Sequence, residues 1–200
     1  LLKNIFISGS LAKTEYPWTD DAVIRFTYGL AKQLVRDDYR IVSGFGFGIG
    51  STIINGALEE IMKSKYKHVD EHLCLRPFPQ IGLGSLPFDE MKRKYREAMI
   101  QQAGIVVFIF GNRQDKQDKS KIILADGMIE EFEIAKEQGK IIIPVGSTGG
   151  ASAKIYDEVK SNIKEYPYLE EYLKELGDET TNSDKLISLI SKIISDQQIL

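Results

Sequence analysis

Residues 105–110 read Ile-Val-Val-Phe-Ile-Phe, an unbroken apolar run with no alternation. A run this short cannot span a bilayer. It is bounded by Gly104 and Gly111, so it reads as a β-strand buried on both faces, in the interior of a parallel sheet. The rest of the chain follows from that strand. Shorter apolar runs occur at 5–8, 40–43, 72–75 and 140–145, the last carrying Ile141-Ile142-Ile143, β-branched throughout. Between them lie longer stretches with helical periodicity at 20–36, 50–65, 89–103 and 127–138. In the first of these Ala22, Val23, Phe26, Leu30 and Leu34 share one side, with Thr19 or Asp20 as its cap, and Gly139 stops the fourth. Strands alternating with helices predict an α/β fold, a Rossmann-like parallel sheet flanked by helices. Beyond Gly150 only helical stretches follow, at 153–162, 167–174 and 183–196, a helical C-terminal extension (151–200) of one domain spanning 1–200. The polar segment 113–121 reads as a surface loop.

A net charge of −3 argues against a general nucleic-acid surface, and 42% apolar with 28% charged residues is the balance of a water-soluble globular chain. The single cysteine, Cys74, excludes an internal disulfide and fits a reducing, cytoplasmic compartment. No stretch reads as a signal peptide or membrane span. The chain begins with Leu1 and enters a strand almost at once, so it is expected to be cut from a longer protein.

In an open parallel sheet, ligands bind beyond the carboxyl ends of the strands. Each strand here is followed by a polar or glycine-rich loop: Ser8-Gly9-Ser10, then Ser43-Gly-Phe-Gly-Phe-Gly-Ile-Gly-Ser51, Arg76-Pro77-Phe78, Gly111-Asn112-Arg113 and Gly146-Ser-Thr-Gly-Gly150. Gly44, Gly46, Gly48 and Gly50 leave room for backbone N–H groups to approach a phosphate at the start of the next helix, with Ser51 adding a hydroxyl. Equally, they permit a tight strand-to-helix turn. The spacing is neither that of a dinucleotide fingerprint nor of a phosphate loop ending in lysine. Phe45 and Phe47 either stack on a base or fold inward. Arg76, Arg96 and Arg113 are candidate phosphate contacts or surface residues, and the carboxylates Asp126, Glu130 and Glu131 either follow ordinary helix-start preferences or one of them accepts from a ribose hydroxyl. His68 and His72 lack metal-ligand spacing, and no nucleophilic triad is visible, so neither a metal nor a catalytic residue is expected.

Taken together, Ser8-Gly9-Ser10, Gly44–Ser51, and Arg96…Met99…Ala103-Gly104-Ile105-Val106-Val107 followed by Asp126-Gly127-Met128-Ile129-Glu130-Glu131 resemble the SMF/DprA-LOG (SLOG) superfamily. Its enzymatic branch carries an Arg-Lys pair and then PGGxGTxxE. Gly127 and Glu131 match the glycine of the GT step and the final glutamate. Met128 replaces the threonine, Leu124-Ala125-Asp126 stands in place of the proline and two glycines, and Tyr95-Arg96 stands at the Arg-Lys pair. The closer resemblance is to the sensor branch attached to sirtuin-like or TIR modules in Thoeris anti-phage systems. That resemblance implies a regulatory domain without turnover of its own, binding a cyclic ADP-ribose isomer made by a partner TIR-domain enzyme. Ligand binding would reorganise a homotetramer and release an N-terminal sirtuin-like NAD+ hydrolase in cis. It places the ligand on Ser8, Gly9, Ser10, Gly44, Phe45, Gly46, Phe47, Gly48, Ser51, Arg76, Arg96, Arg113, Gly127, Glu130 and Glu131, with Arg96 and Arg113 on phosphate and a glutamate at ribose or base. The alternative is a LOG-type nucleoside-monophosphate phosphoribohydrolase. A DNA-binding relative is disfavoured by the acidic balance.

Overall fold

A computed structural model of the chain describes residues 2–79, 84–85 and 87–198. Its main sheet is wholly parallel, in the order β3-β2-β1-β4-β7. The strands are β1 (Asn4–Ser10), β2 (Arg40–Ser43), β3 (Leu73–Leu75), β4 (Ile105–Phe110) and β7 (Ile141–Pro144). β4 is buried at every residue and lies between β1 and β7, as its unbroken apolar sequence requires. The Rossmann-like α/β architecture is therefore the one expected.

The chain builds outward from β1 through β2 to β3, then returns to the other side of β1 with β4 and β7. The sheet thus changes direction between β1 and β4, which opens a crevice at their carboxyl ends. Helices α1 (Asp20–Arg36), α2 (Gly50–Lys63) and α8 (Ser183–Asp196) pack together, and α4 (Phe88–Ile100), α5 (Asp126–Glu137) and α6 (Gly150–Ser161) form a second packed set. Thr19 caps α1, its hydroxyl oxygen accepting from the Ala22 amide at 3.2 Å. The apolar stripe of α8, including Leu186, Ile190, Ile193 and Ile194, is fully buried, and α8 lies against α1.

Several local expectations need correction. The segment read as a loop contributes to a small antiparallel ribbon, β5 (Asn112–Gln114) paired with β6 (Ile122–Leu124). Its polar sequence reflects a ribbon standing outside the main sheet, and Ile122-Ile123-Leu124 supplies its apolar strand. His72 closes a single helical turn, α3 (Val69–His72), rather than opening β3. The stretch 167–174 is not one helix: a 3-10 turn at Pro167–Leu169 precedes the short α7 (Leu173–Leu176). This C-terminal segment protects a sheet edge. The Tyr168 hydroxyl accepts from the Ile142 amide at 2.9 Å and donates to the Ile142 carbonyl at 3.1 Å, satisfying both backbone groups on the outer side of β7. Among the described residues, no helix is long and apolar enough to cross a membrane.

Candidate functional site

The crevice between β1 and β4 holds a cavity of about 490 Å³, the size of a nucleotide site. β1 supplies its floor (Phe6 to Ser10), the β2–α2 loop one wall, and the start of α5 the other. Phe78, Arg96, Met99 and Arg113 complete it.

The glycine-rich wall is shaped by close backbone contact. The Leu11 amide donates to the Phe47 carbonyl at 2.8 Å, drawing the loop onto the residues after β1. A Cβ on Gly46 would lie 1.9 Å from the Gly9 carbonyl oxygen. One on Gly48, whose φ is +78°, would lie 1.9 Å from that of Leu11. Both glycines are therefore required by the turn itself. The same turn brings the start of α2 to the cavity. That end has neither a side-chain cap nor an acidic residue in its first turn. The Gly50 amide already donates to the Gly46 carbonyl at 2.8 Å, and Gly50 and Ser51 of this helix start line the cavity, where the positive end of the helix dipole favours an anion. The run is therefore a tight turn, and it leaves that helix start at the cavity.

Neither phenylalanine of the run folds inward. Phe45 and Phe47 are 51% and 68% exposed and line the cavity, and Phe45 is held at a φ of +58°. A large non-glycine side chain in that conformation is strained, and this one leaves apolar surface in water.

Opposite them, Glu131 projects from α5 beneath the cavity. Burial pushes its carboxyl up from the ordinary carboxylate range, against the opposing pull of the Ser8 hydroxyl and Arg96. The Ser8 hydroxyl donates to Glu131 Oε2 at 2.6 Å, and Arg96 Nε faces Glu131 Oε1 at 3.4 Å without forming a hydrogen bond. Arg96 Nη1 donates to Glu130 Oε2 at 2.6 Å, and the guanidinium lies 4.5 Å from the Phe78 ring centroid. Tyr95 packs edge-on against Phe78 at 5.6 Å. Arg96 is thus fixed between two carboxylates and an aromatic face.

Arg113, on β5, makes a two-pronged contact with Asp126 at the head of α5: Nε to Oδ1 at 2.8 Å and Nη2 to Oδ2 at 3.2 Å. Burial raises the Asp126 carboxyl, but Arg113 and the neighbouring amides outweigh it and hold the group below its ordinary range. Asn112 clasps the loop after β1: its Oδ1 accepts from the amides of Ala12 and Lys13, and its Nδ2 donates to the Lys13 carbonyl.

The cavity therefore gathers Ser8, Gly9, Ser10, Gly44, Phe45, Gly46, Phe47, Gly48, Ser51, Arg96, Arg113, Gly127 and Glu131 from the residues singled out in the sequence. Arg76 and Glu130 stand apart from the lining. Arg76 is exposed, its backbone amide donating to the Ser43 carbonyl at 2.8 Å, and Glu130 acts behind Arg96. Phe78 and Met99 line the cavity beyond the expected contacts, and Asp126, one of the carboxylates at the start of α5, lines it too. Phe78 follows β3 directly, so the strand-end rule pointed at it.

The Sir2- and TIR-associating SLOG family, STALD, matches residues 1–197. Proteins named NAD(+) hydrolase ThsA are similar along nearly the whole chain. The one from Bacillus cereus (strain MSX-D12) is 38% identical over 99% of this chain and 40% of its own length. That from Enterococcus faecium is 36% identical over 98% and 41%. That from Acinetobacter baumannii (strain 532279) is 34% identical over 96% and 41%. The chain thus spans about 40% of the length of the curated relatives it matches. The X-ray structure of TM1055, a structural genomics target, shares the fold, with a TM-score of 0.50 at 16% identity over 77% of this chain and 80% of that one.

Proposed function

The chain belongs to the Sir2- and TIR-associating SLOG family, and from that premise we propose that it is the nucleotide-sensing regulatory domain of a longer NAD+-hydrolysing protein in Thoeris-type anti-phage defence. Its ligand is a cyclic ADP-ribose isomer supplied by a TIR-domain enzyme. The observation that carries this reading is the cavity at the switch between β1 and β4, which offers three chemistries in one space.

A pyrophosphate fits the uncapped start of α2 and the guanidinium of Arg96, which lines the same cavity. Ribose hydroxyls fit the acceptor Glu131, which Ser8 holds in place. A purine face fits Phe45 or Phe47, whose exposure is otherwise unfavourable. Such a ligand activates an attached hydrolase only by binding the active arrangement more tightly than the resting one. Contacts between copies of the domain in a homo-oligomer, near the exposed phenylalanines, supply that difference. The NAD+ hydrolase names of the relatives support an effector module preceding this domain in the same chain.

Calorimetric titration with cyclic ADP-ribose isomers tests the reading. Binding of one isomer, lost in Arg96→Ala, is the expected result, and no heat with any isomer overturns it. A second reading is favoured by one observation, the buried Glu131 beside Arg96: a carboxyl with a raised pKa can serve in glycosidic hydrolysis. It predicts free base released from AMP and loss of that release in Glu131→Gln.

A further inference from the structure

Two helix N-termini open onto the cavity, and they are not equivalent. That of α2 holds no acidic side chain and no side-chain cap. That of α5 is already engaged. Asp126 lines the cavity, Oδ1 accepting from the Gly127 amide at 3.1 Å and from Arg113 Nε at 2.8 Å while Oδ2 accepts from Arg113 Nη2 at 3.2 Å. A planar guanidinium meeting two oxygens beside a helix amide is the arrangement in which proteins hold phosphate. Here the chain's own carboxylate fills it.

We infer that Asp126 is an internal counter-anion that closes the α5 end of the cavity to a terminal phosphomonoester. The cavity then selects ligands whose phosphates are diesters lying at the α2 end. The inference deepens the sensor reading above and rests on the same cavity. Its physical basis is charge. A phosphomonoester carries close to two negative charges at neutral pH, a diester phosphate one. Placed at Arg113, the monoester must displace or tolerate Asp126. At the α2 end a diester meets the positive end of a helix whose first turn holds no carboxylate. Cyclic nucleotides have no phosphomonoester, whereas the monophosphates from which they must be told apart do.

The test compares AMP with a cyclic ADP-ribose isomer, each titrated calorimetrically into the wild-type protein and Asp126→Asn at low ionic strength. The Asp126 side chain is 79% exposed, so the variant should fold, with only a small fall in melting temperature from the weakened pairing with Arg113. Asp126→Ser provides a second uncharged residue able to cap the helix. AMP should bind the variants at least about fivefold more tightly than wild type, a modest figure because solvent screens the charge. Any change for the cyclic ligand should be smaller than the AMP gain, its phosphates lying at the other helix. Adding Arg113→Gln, or raising the salt, should abolish the AMP gain. AMP affinity that is unchanged or weaker in both variants, or undetectable in all proteins, overturns the inference. A cyclic ligand that binds none of them counts against the sensor reading instead and leaves the AMP comparison standing.

Discussion

The hydroxyl of Ser8 donates to Glu131 Oε2 at 2.6 Å, joining β1 to the second turn of α5. Ser8 is 1% exposed, so it acts on a ligand chiefly through the carboxylate it holds. Keeping Glu131 here has an energetic cost, since burial outweighs Ser8 and Arg96 and raises its carboxyl above the ordinary 4.5. A carboxyl whose folded pKa is raised contributes most stability below its unfolded value and loses it as pH rises through the folded one. Glu131→Gln should therefore melt at a higher temperature than wild type at neutral and alkaline pH, the gap narrowing towards pH 4.5. It should also bind the nucleotide more weakly, as sites kept for function at the expense of stability do. Melting curves across pH check this, and a variant less stable than wild type at neutral pH would contradict it.

Two glycines of the run should respond differently to alanine. At Gly46 a Cβ falls 1.9 Å from a backbone oxygen, which cannot move without dragging the end of β1. At Gly44 the nearest atom is Met99 Sδ at 3.3 Å, the end of a flexible side chain. Gly46→Ala should cost about 1–3 kcal/mol or more, in the range of overpacked cores. Gly44→Ala should stay within about 1 kcal/mol of wild type. Denaturant unfolding of the two variants makes the comparison, and equal losses would refute the assignment of Gly46 to the turn. Binding losses at Gly46 consequently say little about phosphate, whereas those at Gly44 are informative.

The main sheet was legible because hydrophobic pattern alone specifies it: a fully apolar β4 must be interior, and strand–helix alternation makes its neighbours parallel. The strand-end rule then located most of the cavity lining without any knowledge of depth or direction. What pattern does not encode is which way side chains turn. Ser8 and Glu131 were both readable as ligand contacts, yet they are partners of each other. Arg76 and Arg113 looked alike as basic residues after strands, but only Arg113 reaches the cavity, because the β5–β6 ribbon carries it there. That ribbon escaped notice since its strands are three residues long and one is polar. The pairing of Arg113 with Asp126 spans the ribbon turn and has no periodic signature.

At the far edge of the sheet, Tyr168→Phe removes the group that satisfies both the amide and the carbonyl of Ile142. Leaving these groups without their partner should cost about 1–3 kcal/mol. Burial is the main cause that pushes the Tyr168 phenol from 10.0 up to about 12. A raised folded pKa means that its contribution is intact below pH 10 and is lost as pH rises through about 12. Wild type and variant should therefore differ in unfolding free energy at pH 8 and converge in strongly alkaline solution. A constant difference across that range would show that the phenol is not the group responsible.

Phe45 and Phe47 offer the cleanest separation of binding from stability. Both are largely exposed, so truncation forfeits little buried area, and each alanine variant should remain within about 0.5 kcal/mol of wild type in unfolding experiments. Phe45 adds a second consideration, because its φ of +58° is also left-handed for alanine, so the backbone strain stays and any change reports the ring. Stacking of a base on an aromatic ring is worth about 1–3 kcal/mol, so removal of the ring that meets the base should weaken the cyclic ligand about fivefold to a hundredfold. Leucine at the same position keeps apolar area but not the flat face, and should recover only part of the loss. Calorimetry on Phe45→Ala, Phe47→Ala and the two leucine variants distinguishes the rings. Full affinity in both alanine variants would mean that the phenylalanines serve a contact between protein copies rather than the base.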